Sequence, residues 1–368
     1  MTNPLLSGIR VLDLSRLLPG PFCTLYLAQL GAEVIKIEEP NGGDYGRTLG
    51  PELFELVNRG KKSVTLDLRK PADVETFHKL VKDADVVIES FRPGVMDKLG
   101  CGYDTLKKLN PKIVFAALTG YGQSGPYRDR AGHDMNYLGY AGVLDQIGAA
   151  GGPPVQSNLQ IADLAGGALT CAIGILSAVI GARSSGEGAF VDVGMHDGSL
   201  ALQVLSFAAL RALGRSNPRG RDMLSGALPN YSFYECADGR HLAVGALEPK
   251  FWATLCTAIG RADLLKKPMA PGPTAEAVRA EIAALFKTKP RDEWEALLLK
   301  HDACTSAILT PEEVLDNEQV IARGLVETVN GKPAPAMPIQ FGEIPRIACG
   351  PAPKLGADNE AVLGPLRA

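Results

Sequence analysis

Histidine is scarce in this sequence, with five among 368 residues, and no two of its seven cysteines form a Cys-x-x-Cys pair. A zinc-type site needs such ligands close together, so none is expected. Cys23, Cys101, Cys171, Cys236, Cys256, Cys304 and Cys349 are odd in number and widely spaced, which argues for reduced, mostly buried thiols. An excess of charge of one sign is also lacking. Lys and Arg total 38 against 41 Asp and Glu, a net of -3, so no basic surface for nucleic acid is implied. A local cationic patch able to hold one phosphorylated ligand would be invisible in that total. The most apolar run, Leu200–Leu213, is short for a membrane span, is interrupted by Arg211 and is followed by Gly214, so a buried helix is expected. No basic segment followed by an apolar run opens the chain, and its last residues, GPLRA, are not a peroxisomal address; a cytoplasmic location is the default. Finally, no Gly-x-Gly-x-x-Gly follows the first strand-like run, and LSRLLPGPF is not a nucleotide-type glycine loop. A nicotinamide dehydrogenase loses its support there.

What is present is an alternation of strand and helix. Ile9–Ser15, Glu33–Pro40, Ser63–Leu68, Asp85–Ser90 and Lys112–Gly120 read as strands rich in branched residues. Helical stretches follow Gly20-Pro21 and cover Ala72–Ala84, and a short one begins near Thr105. This pattern predicts an α/β layer with a largely parallel sheet, whose ligands sit at loops leaving the strands' carboxyl ends. Asp163–Ala182, full of small residues, predicts a helix packed closely on others. Gly188–Leu200 reads as a strand and a helix start. Tyr231–Cys236 and His241–Gly245 flank Ala237-Asp238-Gly239, a hairpin signal. The pattern from Pro249 to Leu309 is mainly helical. Thr310-Pro311-Glu312-Glu313 has the make-up of a capped helix start, and the proline-rich tail from Gly331 runs over the surface or back to the first domain.

Few residues stand out chemically. His133 follows a glycine-thick loop, and an imidazole titrates near neutral pH, so it can act as base and acid or simply cap a helix. Asp163 interrupts an apolar stretch, where a helix cap is the plain alternative. Glu248 precedes Pro249 and suits an ordinary surface position equally well. Lys36, Arg92 and the run Arg59, Lys61, Lys62 supply cations, with Leu66, Gly120 and Tyr121 nearby in the pattern as weaker cleft candidates. His196-Asp197 has the composition of a dyad but reads as framework. Ser15, Ser124 and Ser225 lie in no nucleophile motif.

Four phrases carry a resemblance: GIRVLDLSRLLPGPFCTLYLAQLGAEVIKIEEP, NRGKKSVTLDL, DVVIESFRPGVMDKLG and LTGYGQSGPYRDRAGHDMNYLGYAGVL. The chain resembles the family III CoA-transferases (CaiB/BaiF type) from about Leu6 to about Phe341, and looks most like their alpha-methylacyl-CoA racemase branch. The resemblance implies a Rossmann-like large domain over residues 1–200 and 325–368, a smaller α+β domain over 225–324, and a linker at 201–224. It implies an interlocked homodimer acting on acyl-CoA, with coenzyme A as the carrier portion of the substrate and no redox or metal cofactor. In that branch His133 and Asp163 would be opposed acid/base groups, Glu248 would reach the histidine from the partner subunit, and the Asp134 N–H would face the thioester oxygen. In the transferases, which commonly lack the histidine, the matching aspartate is instead the nucleophile. Lys36, Arg59, Lys61, Lys62, Leu66, Arg92, Gly120 and Tyr121 would lie near the coenzyme A portion.

Overall fold

The computed structural model describes residues 5–267, 270–346 and 349–367. Part of the proline-rich interruption at 266–273 therefore lies outside the described residues, as do the first four. Contacts divide the chain into two units: residues 1–143, 157–203 and 321–368, and residues 144–156 and 204–320. The fold is mixed α/β, with a Rossmann-like sheet in the first unit.

That sheet has six parallel strands: β1 (Arg10–Asp13), β2 (Glu33–Glu38), β3 (Lys62–Thr65), β4 (Val86–Glu89), β5 (Val114–Thr119) and β6 (Phe190–Gly194). Their order is β3-β2-β1-β4-β5-β6, reversing direction between β1 and β4. The central strands are buried along nearly their whole length, which explains their continuous apolar character in the sequence. A core of Leu12, Ile35, Val64, Phe77, Val87 and Phe115 fills one side, and Leu363 of the last helix, Asn359–Arg367, joins it. The tail thus returns to the first unit. It also forms the hairpin of β10 (Val326–Val329) and β11 (Lys332–Pro335), which the sequence did not announce.

The stretch Ala162–Ser185 is helical throughout, beginning as a π-helix over Ala162–Leu169 and continuing as an α-helix over Thr170–Ser185. It is long and apolar enough, by length and composition, to cross a bilayer. Here one side packs on the helix Pro19–Gln29, on β5 and on the helix Met195–Ala201. The packing is close because both partners offer glycine: a Cβ on Gly198 would stand 1.9 Å from the Gly166 carbonyl oxygen. The expected buried helix at 200–213 is corrected. The chain turns at Leu202-Gln203, and the following helix, Val204–Leu213, has no buried residue in the single chain.

The second unit holds a three-stranded antiparallel sheet of β7 (Tyr231–Glu235), β8 (His241–Gly245) and β9 (Thr305–Ala307). Its core gathers Tyr234, Trp252, Leu255, Phe286 and Trp294. The predicted hairpin is β7–β8, with Gly239 at φ 76° in its turn. Thr310 caps the helix Pro311–Val314 reciprocally: its Oγ1 accepts from the Glu313 N–H at 3.3 Å, and Glu313 Oε2 accepts from the Thr310 N–H at 2.9 Å. All seven cysteines are free, five of them buried.

Candidate active site

The reversal of strand order leaves a crevice at the carboxyl ends of β1 and β4, the usual place for a ligand in an open parallel sheet. Two cavities open along this edge. One, of about 560 Å³, is lined from the loops after β1, β4 and β5, and by His133, Tyr137 and Asp163. The other, of about 710 Å³, is lined mainly from the loops after β2 and β3, including Glu39, Leu66 and Arg69. Arg16, Tyr45 and Phe91 belong to the walls of both.

His133 and Asp163 therefore share a cavity. His133 stands just before the helix Asp134–Tyr140 in extended backbone, and its N–H donates to Asn136 Oδ1 at 3.0 Å. Asp163 is the second residue of the π-helix. Its carboxyl is mostly buried with no cation beside it; burial, then the nearby Asp134 carboxylate, push it up to about 7. It thus exchanges protons near neutrality.

Asp134 connects these two residues. Its Oδ1 accepts from the backbone N–H groups of Ala162 at 2.7 Å and Asp163 at 3.1 Å. Helix-start N–H groups lack intrahelical partners, so a carboxylate there caps the turn and fixes Asp163 relative to His133. The cap anticipated for Asp163 is thus supplied by Asp134 across 28 residues of sequence. Nothing in the local sequence signals that pairing.

Gly120 and Tyr121 follow β5 and line the cavity of the two acid/base candidates. A Cβ at Gly120 would come within 2.4 Å of the Tyr137 ring, so glycine is what lets that ring fill the site's floor. The Tyr137 hydroxyl donates to the Gly132 carbonyl oxygen at 2.5 Å, anchoring the loop before His133. Arg92 lines the same cavity, whereas Leu66 lines the larger one.

The other expected cations are engaged elsewhere. Lys36 Nζ is fully buried between Asp44 Oδ2 and the Ser15 carbonyl oxygen, both at 2.8 Å. Lys61 Nζ is equally enclosed, donating to Asp13 Oδ2 at 3.1 Å, Thr24 Oγ1 at 2.7 Å, Asn58 Oδ1 at 2.9 Å and the Pro21 oxygen at 3.0 Å. Arg59 pairs with Glu327 at 3.0 Å and donates to the Leu56 and Pro335 carbonyl oxygens, tying β10–β11 down. Lys62 begins β3 and pairs with Glu33, which begins β2, so it stands at the sheet's amino edge, away from the cavities. Glu248 belongs to the second unit, exposed at the start of the helix Pro249–Ala258. His196 Nδ1 lies 2.8 Å from Asp197 Oδ1, next to Tyr121, without lining either cavity. Among the described residues, no group of three or more His, Cys, Asp or Glu is arranged to hold a metal ion. Arg16 went unnoticed in the sequence, where it is one more arginine in a loop.

A sheet whose order reverses beside a pair of acid/base groups is the arrangement of an open α/β enzyme with its site at the switch point. The model of CoA-transferase family III matches residues 6–359, and the chain belongs to that family. It is 38% identical to human alpha-methylacyl-CoA racemase, over 90% of this chain and 86% of that protein. It is 34% identical to the succinate–glutarate CoA-transferase of Agrobacterium fabrum, over 99% and 96%. The crystal structure of a CaiB/BaiF family protein from Brucella suis superposes with a TM-score of 0.87 at 32% identity, covering both chains completely.

Proposed function

We propose that this chain is a racemase, or epimerase, that inverts the alpha carbon of 2-methylacyl-CoA thioesters by two-base proton transfer. The observation that carries this reading is the presence of His133 and Asp163 in one cavity, with the carboxyl pushed up to about 7. A proton beside a thioester carbonyl becomes removable only when a base meets the carbon and donors meet the developing enolate oxygen. Inversion further requires a proton to leave one face and another to arrive on the opposite face.

In one direction neutral His133 takes the alpha proton. The electron pair of the C–H bond moves into the enolate, whose oxygen the Asp134 N–H receives. Protonated Asp163 then gives its proton to the other face and is left as carboxylate. The reverse direction exchanges these duties, and the pair resets through solvent. Glu248, supplied by a second copy in an interlocked homodimer, orients the imidazole and stabilises its charged form. Leu66, Arg92, Gly120 and Tyr121 lie along the coenzyme A portion. Similarity to the human racemase supports the assignment, as does the histidine that transferases commonly lack.

The test is alpha-proton exchange in deuterated water with either epimer of a 2-methylacyl-CoA. We expect deuterium at the alpha carbon of both products. His133→Ala and Asp163→Ala should each lower the rate by at least about a hundredfold. Absence of exchange across a panel of branched acyl-CoAs would overturn the reading. The second reading, a CoA-transferase with Asp163 as nucleophile, is favoured by similarity to the Agrobacterium enzyme. Mixing one acyl-CoA with a free carboxylic acid separates the two: a transferase makes the new thioester, and a racemase exchanges its proton without the acid.

A further inference from the structure

We propose that Arg16 grips the diphosphate of coenzyme A where the substrate passes from one cavity to the other; the inference rests on the acyl-CoA reading above. Arg16 lies in the loop leaving β1, at the point where the strand order reverses, and it lines both cavities. Its guanidinium carbon is 5.0 Å from the Tyr45 ring centre and 4.9 Å from that of Phe91. Nη1 donates to the Tyr45 hydroxyl at 3.1 Å. No carboxylate stands within ion-pair distance of it among the described residues, in contrast to Arg47 and Arg69 in the same region. A positive charge is thus held in an aromatic bracket with several N–H donors uncommitted. That is the planar, forked geometry that meets a phosphate in two parallel hydrogen bonds.

The loop is built to hold this position. The Arg16 N–H donates to Ser90 Oγ at 3.1 Å, joining the loops after β1 and β4. The next residue, Leu17, has φ 63°, a left-handed conformation that a branched side chain rarely takes. Its N–H donates to Asp44 Oδ1 at 3.0 Å, and the same carboxylate pairs with buried Lys36 at 2.8 Å. Lys36 therefore acts under the loop as a positioning residue. A guanidinium fixed in advance loses less freedom when its anion arrives.

The occupant follows from the two cavities. The thioester must lie with His133 and Asp163, which leaves the larger cavity for the nucleotide. What crosses the Arg16 boundary is the link between them, and its charged part is the diphosphate.

Binding by calorimetry tests this without requiring turnover. Probes are CoA, dephospho-CoA and, by NMR titration at millimolar concentration, an S-alkyl pantetheine that has no diphosphate. Arg16→Met should weaken CoA and dephospho-CoA alike, roughly ten- to a hundredfold, and leave the pantetheine unchanged. Arg16→Lys should fall between, and Tyr45→Phe should weaken only the two nucleotides, by about threefold. An unchanged melting temperature keeps these readings free of misfolding. Equal losses on all three probes, no loss on any, or a loss confined to CoA would each overturn the inference. Failure of the wild-type chain to bind CoA would bring down the acyl-CoA reading as well. Normal binding without proton exchange would count against the racemase alone.

Discussion

Asp13 and Asp163 are both buried carboxyls of the first unit, and they titrate in opposite directions. Asp13 is fully enclosed at the end of β1, yet the Lys61 and Lys36 charges and the Ser15 and Thr24 hydroxyls outweigh its desolvation and hold it far below the ordinary range. Asp163 has no cation beside it, only the second negative charge of Asp134, and rises to about 7. Burial by itself fixes neither role. A carboxylate buried with cations becomes part of the frame, and one buried without them, beside a like charge, becomes a proton store. The lysines show the other half: desolvation brings Lys61 down to about 8, while Asp13 beside it limits the fall.

The contrast can be broken most severely from the frame side. Lys61→Met leaves the Asp13 charge buried without its closest cation, and chemical denaturation should register a loss of about 3–5 kcal/mol. A loss below about 1 kcal/mol would remove the structural role assigned to this pair. The site side predicts the opposite sign. Because the Asp163 carboxyl is raised from 3.8 to about 7 on folding, its contribution to stability declines as pH climbs from 3.8 through 7. Asp163→Asn, which cannot ionise, should gain stability over the wild type across that window, by about 4 kcal/mol at pH 8 and only about half a kcal/mol at pH 4. Thermal melts at the two pH values read this directly. The smallest effect sharpens the comparison within the site. Asp134→Asn keeps an oxygen for the Ala162 and Asp163 N–H groups but removes the neighbouring charge. The Asp163 titration should move down by about half a unit, seen in the pH profile of proton exchange. No movement would leave desolvation as the sole cause.

Much of the frame was legible because a parallel strand buried on both faces must be apolar over most of its length, as Val86–Glu89 and Val114–Thr119 are up to their last residue. Glycine turns marked β7–β8 for the same local reason. His133 and Asp163 stood out as titratable groups amid glycine and apolar residues. What stayed hidden depends on partners distant in sequence. Lys36 and Lys61 read as candidate coenzyme A contacts until Asp44 and Asp13 are seen beside them. The capping by Asp134 spans 28 residues, and Arg16 acquires meaning only when Tyr45 and Phe91 close around it. The exposure of Val204–Leu213 was hidden too, since apolar composition says that a helix tends to be covered and not by what.

The π-helical turns at Ala162–Leu169 carry a further consequence. Each such turn accommodates a residue more than an α-helical one, so the aim of everything upstream depends on that surplus. Deleting the surplus residue would leave that aim nearly unchanged. Were the same residues instead to wind as an ordinary α-helix, the segment would be overwound by about one residue's rotation. Asp163 would then swing by about 100° around the axis relative to Thr170–Ser185. The carboxyl would leave its cavity although no atom of its own side chain had been altered.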